Sequence, residues 1–197
     1  MDNSKGTDTR ERILNAALKV INEETISGTR MHLIAEKADV VQSNVHYYYE
    51  TKQDLLLALQ EKVLTECYEI RRQDKKKSRD TLESQLHIFF QQKKHLILKK
   101  AEYDFAEMDF LIQGKMNEKI HQRFVESYEQ WRDDIREVII RYCPGIDEQT
   151  KETLPFVIVS MLQGASLQAL VDQKMFDVEE CFAKCEELLL HYLKQYH

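Results

Sequence analysis

"MHLIAEKADVVQSNVHYYYE", residues 31–50, decides how this chain is read. Met31, Ile34, Ala35 and Ala38 recur at helical spacing, which predicts a short helix to Ala38 with Thr29 as its N-cap. "DVV" (39–41) reads as a tight turn, and Gln42–Tyr48 as a second short helix. A histidine and three tyrosines stand in a row at its end. Consecutive helical residues point about 100° apart, so these rings cannot all share one buried side. Val40, Val45 and Tyr49 are spaced to face supporting helices, which leaves Gln42, Ser43, Asn44, His46 and Tyr47 pointing outward. Two short helices joined by a tight turn and backed by a longer helix form a helix-turn-helix. The second helix of such a pair can enter the DNA major groove. The outward side chains suit that use. Gln and Asn bond bidentately to adenine, and Ser to several bases. Tyr hydroxyls and Lys52 suit phosphate oxygens, which fix register rather than sequence. Lys52 also sits in the first turn of the next helix, where free N–H groups favour an anion.

The flanking sequence is helical throughout. Ile13, Ala16, Ala17, Val20 and Ile21 predict a helix over 8–25, opened by a capping-box-like Asp8/Glu11 pair and stopped at Gly28. Thr51 and Asp54 have capping-box spacing and open a long helix through Leu55, Leu59 and Val63 to about Arg72. "RRQDKKKSRD" (71–80) is a basic break, either a solvated connection or a phosphate-binding patch. Helices follow near 80–99, 101–113, 116–142, 148–173 and 177–195. Pro155 predicts a kink or a later helix start.

Composition agrees with an all-α chain. Only 5 Gly and 2 Pro in 197 residues leave little for frequent turns, and 43% hydrophobic with 31% charged residues is a globular balance. No apolar run approaches the ~20 residues of a membrane span, so no membrane partner is expected. The polar N-terminus lacks a signal-peptide core, and four cysteines are too few for a disulfide scaffold; both point to the cytoplasm. A net charge of −6 argues against a generally sticky nucleic-acid binder but allows a local reading face. P-loop, G-x-G-x-x-G, G-x-S-x-G, H-E-x-x-H and Cys/His zinc spacings are all missing, so neither an enzyme, a cofactor nor a metal is expected.

"RERILNAALKVINEE" with "GTRMHLIAEKADVVQSNVHYYYETKQDLLLAL" resembles the DNA-binding domain of the tetracycline-repressor (TetR) family. Along the family's T-x-x-x-I-A-x-x-A-G-V-S-x-x-T-L-Y-x-H-F-x-x-K-x-x-L string this chain reads Thr29, Ile34, Ala35, Ala38, Val40, Asn44, Val45, His46, Tyr48, Tyr49, Lys52 and Leu55. The resemblance implies DNA contacts from Gln42, Ser43, Asn44, His46, Tyr47, Tyr48 and Lys52, with Thr29, Arg30 and His32 where the first short helix crosses the backbone. Three departures matter: Asp39 stands at the turn glycine, Val41 at the capping serine and His46 at a tyrosine. If position 39 is left-handed, Asp is among the cheapest replacements, whereas Val41 should weaken the helix start.

The resemblance also implies a division at residue 50. A three-helix DNA-binding domain (1–50) would precede a helical ligand-binding and dimerisation domain (51–197), about nine helices in all. It implies a homodimeric repressor on a palindromic double-stranded operator, released by a small, lipophilic effector. Candidate effector contacts are Phe89, Tyr103, Glu107, Met108 and Phe110, with Phe124, Tyr128, Trp131 and Met161. In "AEYDFAEMDF" (101–110), acids alternate with large apolar groups. Either a carboxylate faces an aromatic-lined cavity and selects a lipophilic cation, or the acids lie in water on an amphipathic helix. "LPFVIVSMLQGASLQALV" (154–171) is apolar nearly all round, so both its faces need cover. Together with the last helix it predicts a four-helix interface with the symmetry mate through Leu162, Ala165, Leu170, Phe182, Cys185 and Leu189. "GASLQALVDQKMFDVEE" also resembles one TetR subgroup. Two alternatives remain: a DNA-binding regulator answering to a protein partner or to thiol oxidation, and a helical enzyme or adaptor whose helix-turn-helix is vestigial.

Overall fold

The computed structural model describes residues 3–76 and 78–196, with side chains from residue 8. Among these residues the chain is all-α: α1 (Asn3–Gly28), α2 (Met31–Lys37), α3 (Gln42–Tyr48), α4 (Lys52–Lys75), α5 (Leu82–Lys99), α6 (Ala101–Gly114), α7 (Glu118–Tyr142), α8 (Glu148–Val171), α9 (Val178–Leu193) and a closing 3-10 turn (Lys194–Tyr196). By compactness it divides into two units. Residues 1–66 and 101–124 form the first; 67–100 and 125–197 form the second. Residue 50, the expected boundary, falls inside the first unit.

In the first unit, α1 buries Ile13, Ala16, Ala17, Val20 and Ile21, the predicted stripe, and the unit also buries Val45, Leu55, Ala106, Phe110 and Ile120. α1 starts earlier than predicted, at Asn3, so Asp8 lies inside the helix rather than at its cap. Near its end Thr25 leaves the helical region (φ 61, ψ 168). This region is almost confined to glycine, and a β-branched residue there is strained. The turn is held by side chains from other helices. Asp109 of α6 accepts the Ile26 N–H at 2.5 Å, and Gln113 of α6 donates to the Ser27 hydroxyl at 2.9 Å. Thr51 and Asp54 form the predicted capping box: the Thr51 N–H and hydroxyl donate to the Asp54 carboxylate at 3.1 and 2.6 Å, and the Asp54 N–H donates to the Thr51 hydroxyl at 3.1 Å.

In the second unit, Phe90, Ile135, Ile139, Ile158, Leu162, Phe182 and Leu193 centre one apolar core. α5 is capped by Thr81, α8 by Asp147 and α9 by Asp177, each accepting from N–H groups of the first turn. Three expectations need correction here. α8 starts at Glu148 and runs through Pro155, so the proline does not delay the helix start. α8 is also long and apolar enough, by length and composition alone, to cross a membrane. Reading residue by residue hid this, because Ser160, Gln163, Ser166 and Gln168 interrupt a stretch that holds no charge from Leu154 to Val171. The basic run is likewise not one solvated break, since α4 continues to Lys75 and takes Arg71 with it.

Candidate nucleic-acid interface

α3 has seven residues, too short to be stable alone, so its position is set by packing. Val45 is fully buried and Tyr49 nearly so. The Tyr49 hydroxyl accepts from Arg10 Nε at 3.2 Å, and the Arg10 guanidinium also lies over its ring at 5.6 Å. Burial, partly offset by Arg10, raises the phenol's pKa above its usual value. The α2–α3 turn carries Asp39 at φ 52, so the turn glycine's role falls to a residue that tolerates left-handed backbone. Arg12 of α1 locks that turn by donating to the carbonyls of Ala38 (2.7 Å) and Asp39 (3.2 Å).

The outward set falls where the spacing predicts. Gln42, Ser43, Asn44, His46 and Tyr47 are exposed, Tyr47 at 83%, and Tyr48 is half-buried with its ring edge-on to Tyr47 at 5.1 Å. His46 Nδ1 lies 3.1 Å from the Glu50 carbonyl, a contact that requires a proton on Nδ1 and leaves Nε2 facing Gln42 Nε2 at 3.5 Å. Val41 at the N-cap is 64% exposed and supplies no side-chain cap, as its substitution for serine predicts. His32 is exposed on α2. Arg30 is exposed but folds back to donate to the Ser27 and Thr29 carbonyls at 2.8 and 3.0 Å.

Two predicted contacts are placed differently. Thr29 is fully buried, and its hydroxyl donates to the Thr25 carbonyl at 2.7 Å; Arg30 is the N-cap residue of α2. Lys52 is half-buried, and its ammonium donates to the carbonyls of Ile26 (2.7 Å) and Thr29 (2.8 Å). Burial, then the Arg30 charge, lowers its pKa, while Asp109 opposes them. Lys52 therefore braces the α1–α2 turn from inside. The sequence could not separate the two uses, because a lysine at a helix start suits a phosphate and a carbonyl equally.

The predicted effector residues divide between the units. Tyr103, Glu107, Phe110 and Phe124 are buried in the first, with Met108 half-buried. Phe89 and Trp131 belong to the second unit's core, with Tyr128 and Met161 packed against it. Of the four acids at 102–109 on α6 only Glu102 lies in water; Asp104, Glu107 and Asp109 are 5, 5 and 8% exposed. The reading that leaves all four acids solvated is thus corrected. Of the predicted dimer contacts, Leu162, Ala165, Phe182 and Leu189 are core residues of their own unit, and Leu170 and half-buried Cys185 stay accessible. Helical period alone did not say which side of α8 faces inward, because both sides are apolar.

Residues 13–59 match the profile of the bacterial regulatory proteins of the tetR family. An HTH-type transcriptional regulator encoded in the dhlA 5′ region of Xanthobacter autotrophicus is 37% identical over 57 residues, a match that spans 29% of this chain and 28% of that regulator. Solved structures cover nearly the whole chain. A transcriptional regulator from Saccharomonospora viridis in complex with choline has a TM-score of 0.81 at 17% identity, over 95% of this chain and 96% of that one. A TetR transcription regulator from Haloarcula marismortui has a TM-score of 0.75 at 22% identity, over 96% and 98%. FadR from Bacillus subtilis in complex with stearoyl-CoA has 0.74 at 18%, over 91% and 96%. At these identities the likeness is one of fold. Residues 13–59 are thus similar, as a helix-turn-helix segment, to the bacterial regulatory proteins of the tetR family, and the chain as a whole has the all-helical fold of the transcriptional regulators it matches.

Proposed function

We propose that the chain is a homodimeric cytoplasmic repressor. It holds a palindromic operator through α3 and releases it when a small lipophilic molecule occupies the helical body, with no catalytic step. The observation that carries this reading is α3 itself: Val45 and Tyr49 are buried while Gln42, Ser43, Asn44, His46 and Tyr47 stand in water. A polar, hydrogen-bonding side on a short pinned helix is what major-groove readout needs. Tyr47 and Tyr48 brace the helix against the sugar-phosphate backbone.

The dimer is supported by the outer side of α8 and α9. Phe156, Leu167, Leu170 and Val171 of α8 and Leu188 and Tyr192 of α9 are all more than two-fifths exposed. An apolar side of this extent calls for cover. Gly164 lies on the same stripe, and a Cβ there would meet nothing within 4 Å, so a partner helix can approach closely. On this reading the interface uses the side of α8 and α9 turned away from the core residues Leu162, Ala165, Phe182 and Leu189. It also gives the apolar length of α8 a protein partner rather than a membrane. The effector is supported by the relatives crystallised with choline and with stearoyl-CoA. Thiol sensing is the weaker alternative, since burial, reinforced by Cys181, pushes the Cys185 thiol up to about 11 and keeps it from ionising.

Selection of bound duplexes from a random pool tests the reading. A palindromic consensus is expected, with Gln42→Ala relaxing preference at particular bases and Tyr47→Phe weakening all sites alike. Binding of random DNA with no consensus, or a monomer by light scattering, would rule it out.

A further inference from the structure

Arg71 does not share the solvated character of the basic run it belongs to. Its side chain is only 12% exposed and pairs with Asp134 of α7 at 2.9 Å. Its guanidinium lies 5.7 Å from the Tyr68 ring centre and 5.9 Å from that of Phe89. Within the second unit, α4, α5 and α7 enclose beside it a cleft of about 310 Å³. That is the small end of the range for small-molecule sites. Its lining includes the apolar Ile88, Phe89 and Val138 and the basic Arg71, Arg72 and Lys75.

The charge balance of the cleft decides what it can take. Its one lining carboxylate, Asp134, is already engaged by Arg71 and by the Gln130 amide at 2.9 Å. Arg72 is held by Glu69. Lys75 makes no ion pair among the described residues, and Arg71 offers five donors to a single carboxylate. Positive charge is therefore in excess beside an apolar wall. A cation would meet that excess with no free carboxylate; an oxyanion would find a planar guanidinium fork and an ammonium.

We infer that this cleft binds a small molecule made of an oxyanion, carboxylate or phosphate, on an apolar stem. Arg71 and Lys75 hold the oxyanion, and Ile88, Phe89 and Val138 take the stem. The inference rests on the reading of the helical body as an effector site and gives the effector a charge class.

Calorimetric titration of the free full-length protein with octanoate, octyl phosphate, octanol and octyltrimethylammonium tests it. The two anions are expected to bind at least about tenfold tighter than the alcohol or the cation, the worth of one charge-assisted hydrogen bond. Lys75→Gln, a surface change, should weaken both anions and leave octanol unaffected. Arg71→Lys keeps the charge but loses the fork; if its circular dichroism and melting match the parent, octanoate should still weaken. Equal affinity for all four probes, tighter binding of the cation, no binding at all, or anion affinities unmoved by Lys75→Gln and a folded Arg71→Lys would each overturn the assignment. Operator binding without ligand is scored separately. If it persists while the titrations are silent, the cleft assignment fails and the regulator stands; if it is missing while the anions bind, the reverse holds.

Discussion

At the scale of single residues, the sharpest feature is Thr25, a β-branched residue in backbone territory that glycine occupies freely. Relief of about 1–3 kcal/mol of strain, less about 0.5–1 kcal/mol for glycine's extra freedom when unfolded, should make Thr25→Gly more stable by about 1 kcal/mol in urea unfolding. Lys52 permits a sharper discrimination. As a brace to the Ile26 and Thr29 carbonyls, its replacement by Met should lower the melting temperature and leave the salt dependence of operator binding alone. As a phosphate contact, its loss would shrink the slope of log K against log salt by about 0.9. The outward set at 42–47 was legible from spacing, because Val45 and Tyr49 alternate with it at helical period and bury as expected. The roles of Thr29 and Lys52 were not, because each depends on a backbone carbonyl of the turn that starts at Thr25, and nothing in "ETISG" announces a left-handed threonine.

At the scale of elements, helix ends make two predictions. α3 begins without a side-chain cap, so Val41→Ser should stabilise the DNA-binding segment by about 1 kcal/mol, measured by thermal unfolding. At the start of α8, the Asp147 carboxylate accepts the Thr150 N–H at 2.9 Å, and hydrogen bonds from Thr150 hold its pKa below the usual value. A depressed carboxyl contributes stability above its unfolded pKa of about 3.9 and loses it as pH falls through the lower folded value. The melting advantage of the parent over Asp147→Asn should therefore be present at neutral pH and vanish in acid below that folded value. Helix positions were readable to within a few residues, since amphipathic period and capping residues are local signals. α1's early start and the unbroken passage through Pro155 were not, because tertiary packing overrode the local preference.

At the scale of the whole molecule, one apolar side of α8 is buried and the other exposed. Leu162 lies in the second unit's core, so Leu162→Ala should cost about 2–5 kcal/mol at any protein concentration. Leu167 is 56% exposed, so Leu167→Glu should leave the secondary structure intact and shift light scattering to the monomer mass. An all-helical chain with a helix-turn-helix near its start was plain from composition and the 31–50 stretch. Which apolar side of α8 faces inward was not, because a helix apolar all round gives no moment to read.

The chain has one tryptophan, Trp131, and it belongs to the second unit, with none in the DNA-binding segment. Its ring is almost fully buried, edge-on to Tyr128 at 5.7 Å, and its indole N–H has no acceptor among the described residues. An indole in so dry a setting emits toward the blue and moves to the red once wetted. The protein thus carries its own fluorophore, tuned to the second unit and silent about α3, and loosening of that unit can be followed by emission colour without attaching a dye.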